Sequence, residues 1–296
     1  MTAPRPAAPS AAPRRAAPRR MLRPKRVTVG EASIYHYDVG SGAPVVMLHG
    51  FNHHAEAFVR NIAAVADAGH RVIALDLPGF GRSGVPPMSY SLPGYARFMA
   101  DFLDAVGAPA AHLVGSSMGG AIALRTAIDH PERVLTVTAV DAAGMFAAVP
   151  WLWSMAATPV ARFLMRPFIG HRRLLFESHR RAYHDQSLAS TDQVDVMAEA
   201  YLQPGYRDHI LAMGETMFTA PSDHMVWEHL PALRMPVLVV WGRQDRTLPV
   251  SHAYRAAHRI PGAELVIYDR CGHLPMYEQA EQFNRDLTAF LSRVSA

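Results

Sequence analysis

Apolar positions fall into two periods along the chain. Short, mostly apolar runs at 44–48, 71–75, 111–114, 134–140, 236–241 and 264–268 have the length of strands buried on both faces. The segment 27–37 alternates apolar and polar residues instead, the signature of one or two antiparallel strands. Between them the spacing changes to that of helices at 56–68, 92–106, 118–129, 251–258 and 278–294. In the second of these Phe98, Phe102 and Leu103 share one face, and in the last Phe283, Leu287, Phe290, Leu291 and Val294 do so. Strands alternating with helices predict an α/β fold: a mostly parallel twisted sheet with helices on both faces. The alternation stops between 145 and 230, a stretch rich in Trp, Met, Phe, Arg and His with helical spacing, and resumes at 236. It predicts a core of residues 27–144 and 231–296 carrying an inserted helical cap at 145–230.

The first 26 residues belong to neither period. They hold six prolines and little that is large and apolar, so a solvated, disordered tail is expected. A targeting peptide fits less well, because a secretory signal needs an apolar centre and a transit peptide an amphipathic helix. The tail also accounts for the sign of the charge. It carries eight basic residues and no acid, so removing it from the formal +4 of the chain leaves −4 for residues 27–296. A mildly acidic body lacks the footprint of a nucleic-acid-binding protein. No apolar run reaches the length of a membrane span. A single cysteine, Cys271, excludes an intramolecular disulfide, and a cytoplasmic location is expected.

In open parallel sheets ligands meet the carboxyl ends of the strands, and chemistry-bearing residues collect at those positions. Gly115-Ser116-Ser117-Met118-Gly119-Gly120 follows one strand and opens a helix. A G-x-S-x-G turn of this kind forces its serine into a strained conformation and presents the hydroxyl outward. The helix that follows directs free N–H groups and the positive end of its dipole to the same point. Ser117 is therefore the candidate nucleophile. A serine hydroxyl needs a base, and the base needs a carboxylate to hold its tautomer. After the next strands stand Asp245 and His273, so a catalytic set falls in the order Ser117, Asp245, His273. The N–H groups of Met118 and Phe51 are the candidate oxyanion donors.

The chain thereby resembles the α/β-hydrolase fold superfamily. The resemblance rests on Leu48-His49-Gly50-Phe51, the loop Asp76 to Ser83, the Ser117 turn, Trp241-Gly242-Arg243-Gln244-Asp245 and Gly272-His273, in that order. It implies a metal-free, cofactor-free serine hydrolase acting on a small molecule. Within the superfamily the chain looks most like serine esterases and lipases with a helical cap, which implies cleavage of carboxylic esters of short to medium acyl chain through an acyl-enzyme. Two rivals stand beside that expectation. One is the carbon–carbon bond hydrolases of aromatic ring-fission products, which share the Ser-Met-Gly-Gly turn. Their oxyanion loop usually reads His-Gly-x-Gly-Pro-Gly and a Trp follows their histidine, whereas this chain has His49-Gly50-Phe51-Asn52-His53-His54 and Leu274. The other is a ligand-sensing protein on the same fold. Superfamily members with an Asp nucleophile are excluded by Ser117.

Asp141, after the strand 134–140, occupies the place of an alternative acid, with Asp245 preferred. Asp76 is read as tying down its Gly-rich loop, and His49 as bracing the oxyanion loop. His53 and His54 either line the pocket or sit on the surface, and Cys271 is a buried thiol. Sixteen histidines show no metal-ligand spacing, and no G-x-G-x-x-G opens a helix after the first strand. Aromatic residues of the cap, Trp151 and Trp153 first among them, are the candidates for contact with substrate.

Overall fold

The computed structural model describes residues 22–145, 158, 160, 163–164, 166–219 and 226–294. The apolar runs form the interior of an eight-stranded sheet. In chain order the strands are β1 (Pro24–Val29), β2 (Ala32–Val39), β3 (Pro44–Leu48), β4 (Arg71–Leu75), β5 (Ala111–Ser116), β6 (Val134–Val140), β7 (Val237–Gly242) and β8 (Glu264–Tyr268). Their spatial order is β1-β2-β4-β3-β5-β6-β7-β8. β2 runs antiparallel to β1 and β4, and every later pairing is parallel, with Val46 opposite Ile73 and Leu113, and Val240 opposite Val140 and Val266. Because β3 to β8 run the same way, all their carboxyl ends open on one edge.

Alternation along each strand divides the apolar residues between two layers. Val46 and Leu48 of β3 and Val239 and Trp241 of β7 join one core, while Val45, Met47, Leu238 and Val240 join the other. The first core is covered by α2 (Leu92–Ala105), α3 (Met118–Asp129) and α7 (Ser251–Arg259), which contribute Phe102, Leu124 and Ala256. The second takes Ile62 and Val65 from α1 (Ile62–Asp67) and Phe283, Leu287 and Phe290 from α9 (Ala280–Val294). Between β6 and β7 lie α4 (Arg172–Arg181), α5 (Thr191–Ala200) and α6 (Tyr206–Thr219), and no strand interrupts them among the described residues. None of the described helices is long and apolar enough to cross a membrane.

The structure departs from the sequence-based expectation at three places. The helix expected over 56–68 is a 3-10 turn at Ala55–Phe58 followed by α1. The break sets buried Asn61 against the carboxyl-terminal helices, where its Nδ2 donates to Met276 O at 2.9 Å and to Asn284 Oδ1 at 2.8 Å. The helix expected over 278–294 begins at Ala280 as α9, and a separate short helix, α8 (Pro275–Glu278), precedes it. β1 begins at Pro24, three residues inside the segment read as tail. There Lys25 pairs with Asp38 at 2.9 Å and Arg26 donates to Ser33 Oγ at 3.1 Å. Residues 1–21 of that segment lie outside the described residues.

The contact between α3 and the sheet explains the glycines of the serine turn. A Cβ on Gly119 would stand 2.1 Å from Leu48 O and 2.6 Å from His49 O, and one on Gly115 would stand 2.2 Å from Gly119 O. These are backbone atoms that cannot step aside. Gly119→Ala is expected to lower the unfolding free energy by about 3 kcal/mol. The control is Gly84→Ala, where the nearest atom would lie at 3.6 Å, and stability should stay within about 0.5 kcal/mol of the wild type. Denaturant unfolding of the two variants makes the comparison; equal stabilities would show that the turn can relax.

Candidate active site

Ser117 sits at the hinge between β5 and α3 with φ 53° and ψ −116°. This is a strained conformation for a residue with a Cβ. It is held by three backbone bonds: Ser117 N donates to Val140 O at 2.9 Å, and Ser117 O accepts from Ala121 N at 3.1 Å and Ala143 N at 2.9 Å. The side chain lines a cavity of about 540 Å³ at the carboxyl edge of the sheet. Phe51, Met118 and His273 line the same cavity, so four residues from three separate loops converge there.

The His273 side chain is largely buried and that of Asp245 fully so. His273 Nδ1 donates to Asp245 Oδ2 at 2.6 Å. The other carboxylate oxygen, Oδ1, accepts from Thr247 N at 2.7 Å and Leu248 N at 3.0 Å. With both oxygens bonded, the carboxylate cannot rotate freely, and the imidazole keeps its proton on Nδ1, which leaves Nε2 as the basic nitrogen. His273 is also fixed through its backbone, since His273 N donates to Ala182 O at 2.7 Å, just after α4. Glu278, absent from the sequence-based assignment, secures this loop by accepting from Gly272 N at 2.7 Å and His184 N at 2.8 Å. Nothing in the local sequence marks Glu278, because its partners come from β8's exit loop and from the segment after α4. Burial pushes its carboxyl up.

His49 braces the loop that carries Phe51 through both of its ring nitrogens. Its Nε2 accepts from Leu77 N at 2.9 Å, so the ring proton resides on Nδ1 and bonds Gly50 O at 2.7 Å. Gly50 C=O and Phe51 N–H belong to one peptide plane, so fixing the oxygen orients the N–H on the opposite side. Burial drops His49 to about 3 and keeps it neutral. Asp76 ties down the neighbouring loop, accepting from Ala55 N at 2.7 Å and Arg82 N at 2.8 Å. Cys271 is buried and burial pushes its thiol up.

His53 lines the cavity together with His179, while His54 is fully buried and bonds Gln193 O at 3.1 Å. Burial lowers His53 well below the usual histidine range and His179 to about 4, so neither carries charge at neutral pH. Asn52, Ser178, His179 and Thr247 also line the cavity and were not singled out from the sequence. They come from three separate segments, Ser178 and His179 being neighbours on α4, and are brought together only by packing. Trp151 and Trp153 lie outside the described residues. Among the described residues the apolar wall is supplied by side chains such as Leu175, Met197, Ile210 and Met276.

The profile of the alpha/beta hydrolase fold family matches residues 43–280. A 2-hydroxy-6-oxononadienedioate/2-hydroxy-6-oxononatrienedioate hydrolase of Burkholderia vietnamiensis is 33% identical over 272 residues, covering 89% of this chain and 92% of the relative. A 2-hydroxy-6-oxo-6-phenylhexa-2,4-dienoate hydrolase of Comamonas testosteroni is 32% identical over 275 residues, covering 87% and 91%. Among solved structures, the 2-hydroxy-6-oxo-6-phenylhexa-2,4-dienoate hydrolase of Rhodococcus sp. strain RHA1 superposes with a TM-score of 0.77 at 26% identity, covering 91% of this chain and 98% of that one. These likenesses correct the expectation of a carboxylic ester hydrolase. That expectation weighed two local departures, the loop after Gly50 and Leu274 after His273. Likeness over nearly the whole length to hydrolases that cleave carbon–carbon bonds outweighs them, and a serine, histidine and carboxylate do not themselves distinguish the two reactions.

Proposed function

Since the chain belongs to the alpha/beta hydrolase fold family and is a hydrolase, we propose that it cleaves the carbon–carbon bond of a 2-hydroxy-6-oxo-dienoate, a product of aromatic ring fission. The observation that carries this reading is the identity of 31–33% to named hydrolases of this type over most of the chain. The site residues then take the following parts. A carbon–carbon bond breaks heterolytically only if the departing carbon is stabilised. Moving a proton to C5 converts the 2-hydroxydienoate to its 2-keto form, in which a carbanion at C5 is a vinylogous enolate. Ser117 Oγ attacks the C6 carbonyl and gives its proton to His273 Nε2. The oxyanion at C6 is held by the N–H groups of Met118 and Phe51. The C5–C6 bond breaks, its electron pair passes into the dienolate, and His273 returns the proton to that fragment. Water, deprotonated by His273, releases the carboxylic acid from the acyl-serine. The balance is substrate plus one water giving a 2-hydroxydienoate and an acid. Within the inserted segment, the described helices α4, α5 and α6 supply lining residues such as Leu175, Met197 and Ile210 and act as a cap over this cavity.

The lining of the cavity favours one branch of the substrate class. Among the described residues no Arg, Lys, Asp or Glu lines it, and His53 and His179 are neutral. Asn52, Ser178 and Thr247 offer neutral donors to one carboxylate. Among the described lining residues a second carboxylate on the C6 side would meet mainly apolar groups and no cation, which is costly. A phenyl or alkyl group at C6 is therefore favoured over a dioate. Steady-state turnover of 2-hydroxy-6-oxo-6-phenylhexa-2,4-dienoate should exceed that of 2-hydroxy-6-oxononadienedioate in kcat/KM by about tenfold or more, equivalent to about 1.4 kcal/mol. A preference for the dioate would refute this assignment, and turnover of neither would refute the reaction.

A further inference from the structure

Asp141 has no part in the chemistry above, yet it adjoins the groups that carry it. It follows β6, is fully buried, and stands in the left-handed region with φ 42°. Two bonds clamp it between β6 and β7: Asp141 N donates to Val240 O at 2.9 Å, and its Oδ1 accepts from Gly242 N at 3.0 Å. Its other oxygen, Oδ2, is buried with no donor. A carboxyl oxygen of Asp141, one of Asp245 and a ring nitrogen of His273 all lie within 4.8 Å of one another.

Two buried carboxyl groups this close do not both ionise at neutral pH, so one proton is shared between them. The placement of donors decides where it resides. Asp245 accepts from the imidazole N–H and two backbone N–H groups, whereas Asp141 accepts from one backbone N–H. The negative charge is thus better stabilised on Asp245 and the proton belongs on Asp141. Burial, and next the charge of Asp245, push the Asp141 carboxyl well above the usual carboxylate range, and Glu278 acts in the same direction. The buried Cys271 thiol, also close enough to feel both carboxyl groups, stays protonated and adds no charge.

We propose that Asp141 is a neutral carboxylic acid whose Oδ2–H donates to the Asp245 carboxylate, making it a positioning residue for the Asp245–His273 pair. The proposal rests on the reading of that pair as acid and base. A protonated Oδ2 satisfies the one polar atom of Asp141 that otherwise has no partner, and it supplies Asp245 with a fourth donor. That donor withdraws charge from the carboxylate. Without it the carboxylate would stabilise the imidazolium more strongly, and the base would become available only at higher pH.

The first test needs no turnover. Infrared difference spectra of the full chain at neutral pH should show the carbonyl stretch of a protonated carboxyl in the wild type and in Ser117→Ala, and its loss in Asp141→Asn. If no such band is lost, Asp141 is ionised and the proposal fails, whatever the substrate proves to be. The second test is the pH profile of kcat/KM on the phenyl dienoate. Asp141→Asn keeps a donor toward Asp245 and an acceptor toward Gly242 N, so it should stay within about threefold of the wild type with an unmoved acid limb. Asp141→Ala should lose about tenfold and move the acid limb to higher pH. An Asn variant as damaged as Asp245→Asn would make Asp141 the working carboxylate, and an unmoved acid limb in the Ala variant would leave it no positioning role. Either result overturns the proposal. Absence of dienoate turnover in the wild type would instead count against the proposed reaction, leaving the infrared result to decide the state of Asp141.

Discussion

Ser117→Ala is expected to lower kcat/KM on the phenyl dienoate by about 10⁴-fold or more, with the fold intact. The fold survives because alanine keeps the Cβ that the turn already accommodates at φ 53°, and the three bonds holding residue 117 are all made by its backbone. The rate collapses because no other hydroxyl in the turn can take over. Ser116 is the only neighbouring candidate, and it is almost fully buried at the end of β5 with its Oγ enclosed and unpartnered. A fluorophosphonate probe should accordingly label the wild type at Ser117 and leave Ser117→Ala unlabelled. Labelling of Ser116, or full activity in Ser117→Ala, would refute the assignment of the nucleophile.

Asp245→Asn is expected to cost about 10⁴-fold in kcat. The geometry dictates how. The two backbone N–H groups of Thr247 and Leu248 converge on Oδ1, so the amide must place its oxygen there. Its NH2 then occupies the position of Oδ2 and faces His273 Nδ1 at the distance of a hydrogen bond. Two donors cannot share that bond. The imidazole must therefore accept at Nδ1 and carry its proton on Nε2, where it can no longer remove the proton of Ser117. Nuclear magnetic resonance of the imidazole should show this change of tautomer alongside the loss of rate. A variant that keeps the Nδ1–H tautomer and wild-type turnover would show that another carboxyl group serves His273.

Local features were legible along the chain. The strands Val134–Val140 and Glu264–Tyr268 match the apolar runs that predicted them. The serine turn was readable because strand, strained turn and helix are consecutive residues whose glycines meet their own neighbours. The clash at Gly119, by contrast, involves β3, which is remote in sequence. Helix 56–68 was misjudged as continuous because helical spacing says nothing of the Asn61 side chain, whose partners Met276 and Asn284 lie near the other end of the chain. Glu278 was missed for the same reason.

The layered parallel architecture and the order of the chemistry-bearing loops are both written in the pattern of residues along the chain. Apolar periodicity dictates which segments become strands, and parallel strands deliver everything that follows them to one edge. How those loops meet depends on the packing of the folded chain. It brought Asp141 beside Asp245 through the pairing of β6 with β7, put the neutral histidines His53 and His179 on the cavity wall, and anchored His273 to the carbonyl of Ala182. Which carboxyl keeps a proton, and which substrate a cavity of given lining accepts, depend on burial and on distances between residues far apart in the chain. Periodicity carries neither quantity, because both arise when separate segments exclude water from the same space.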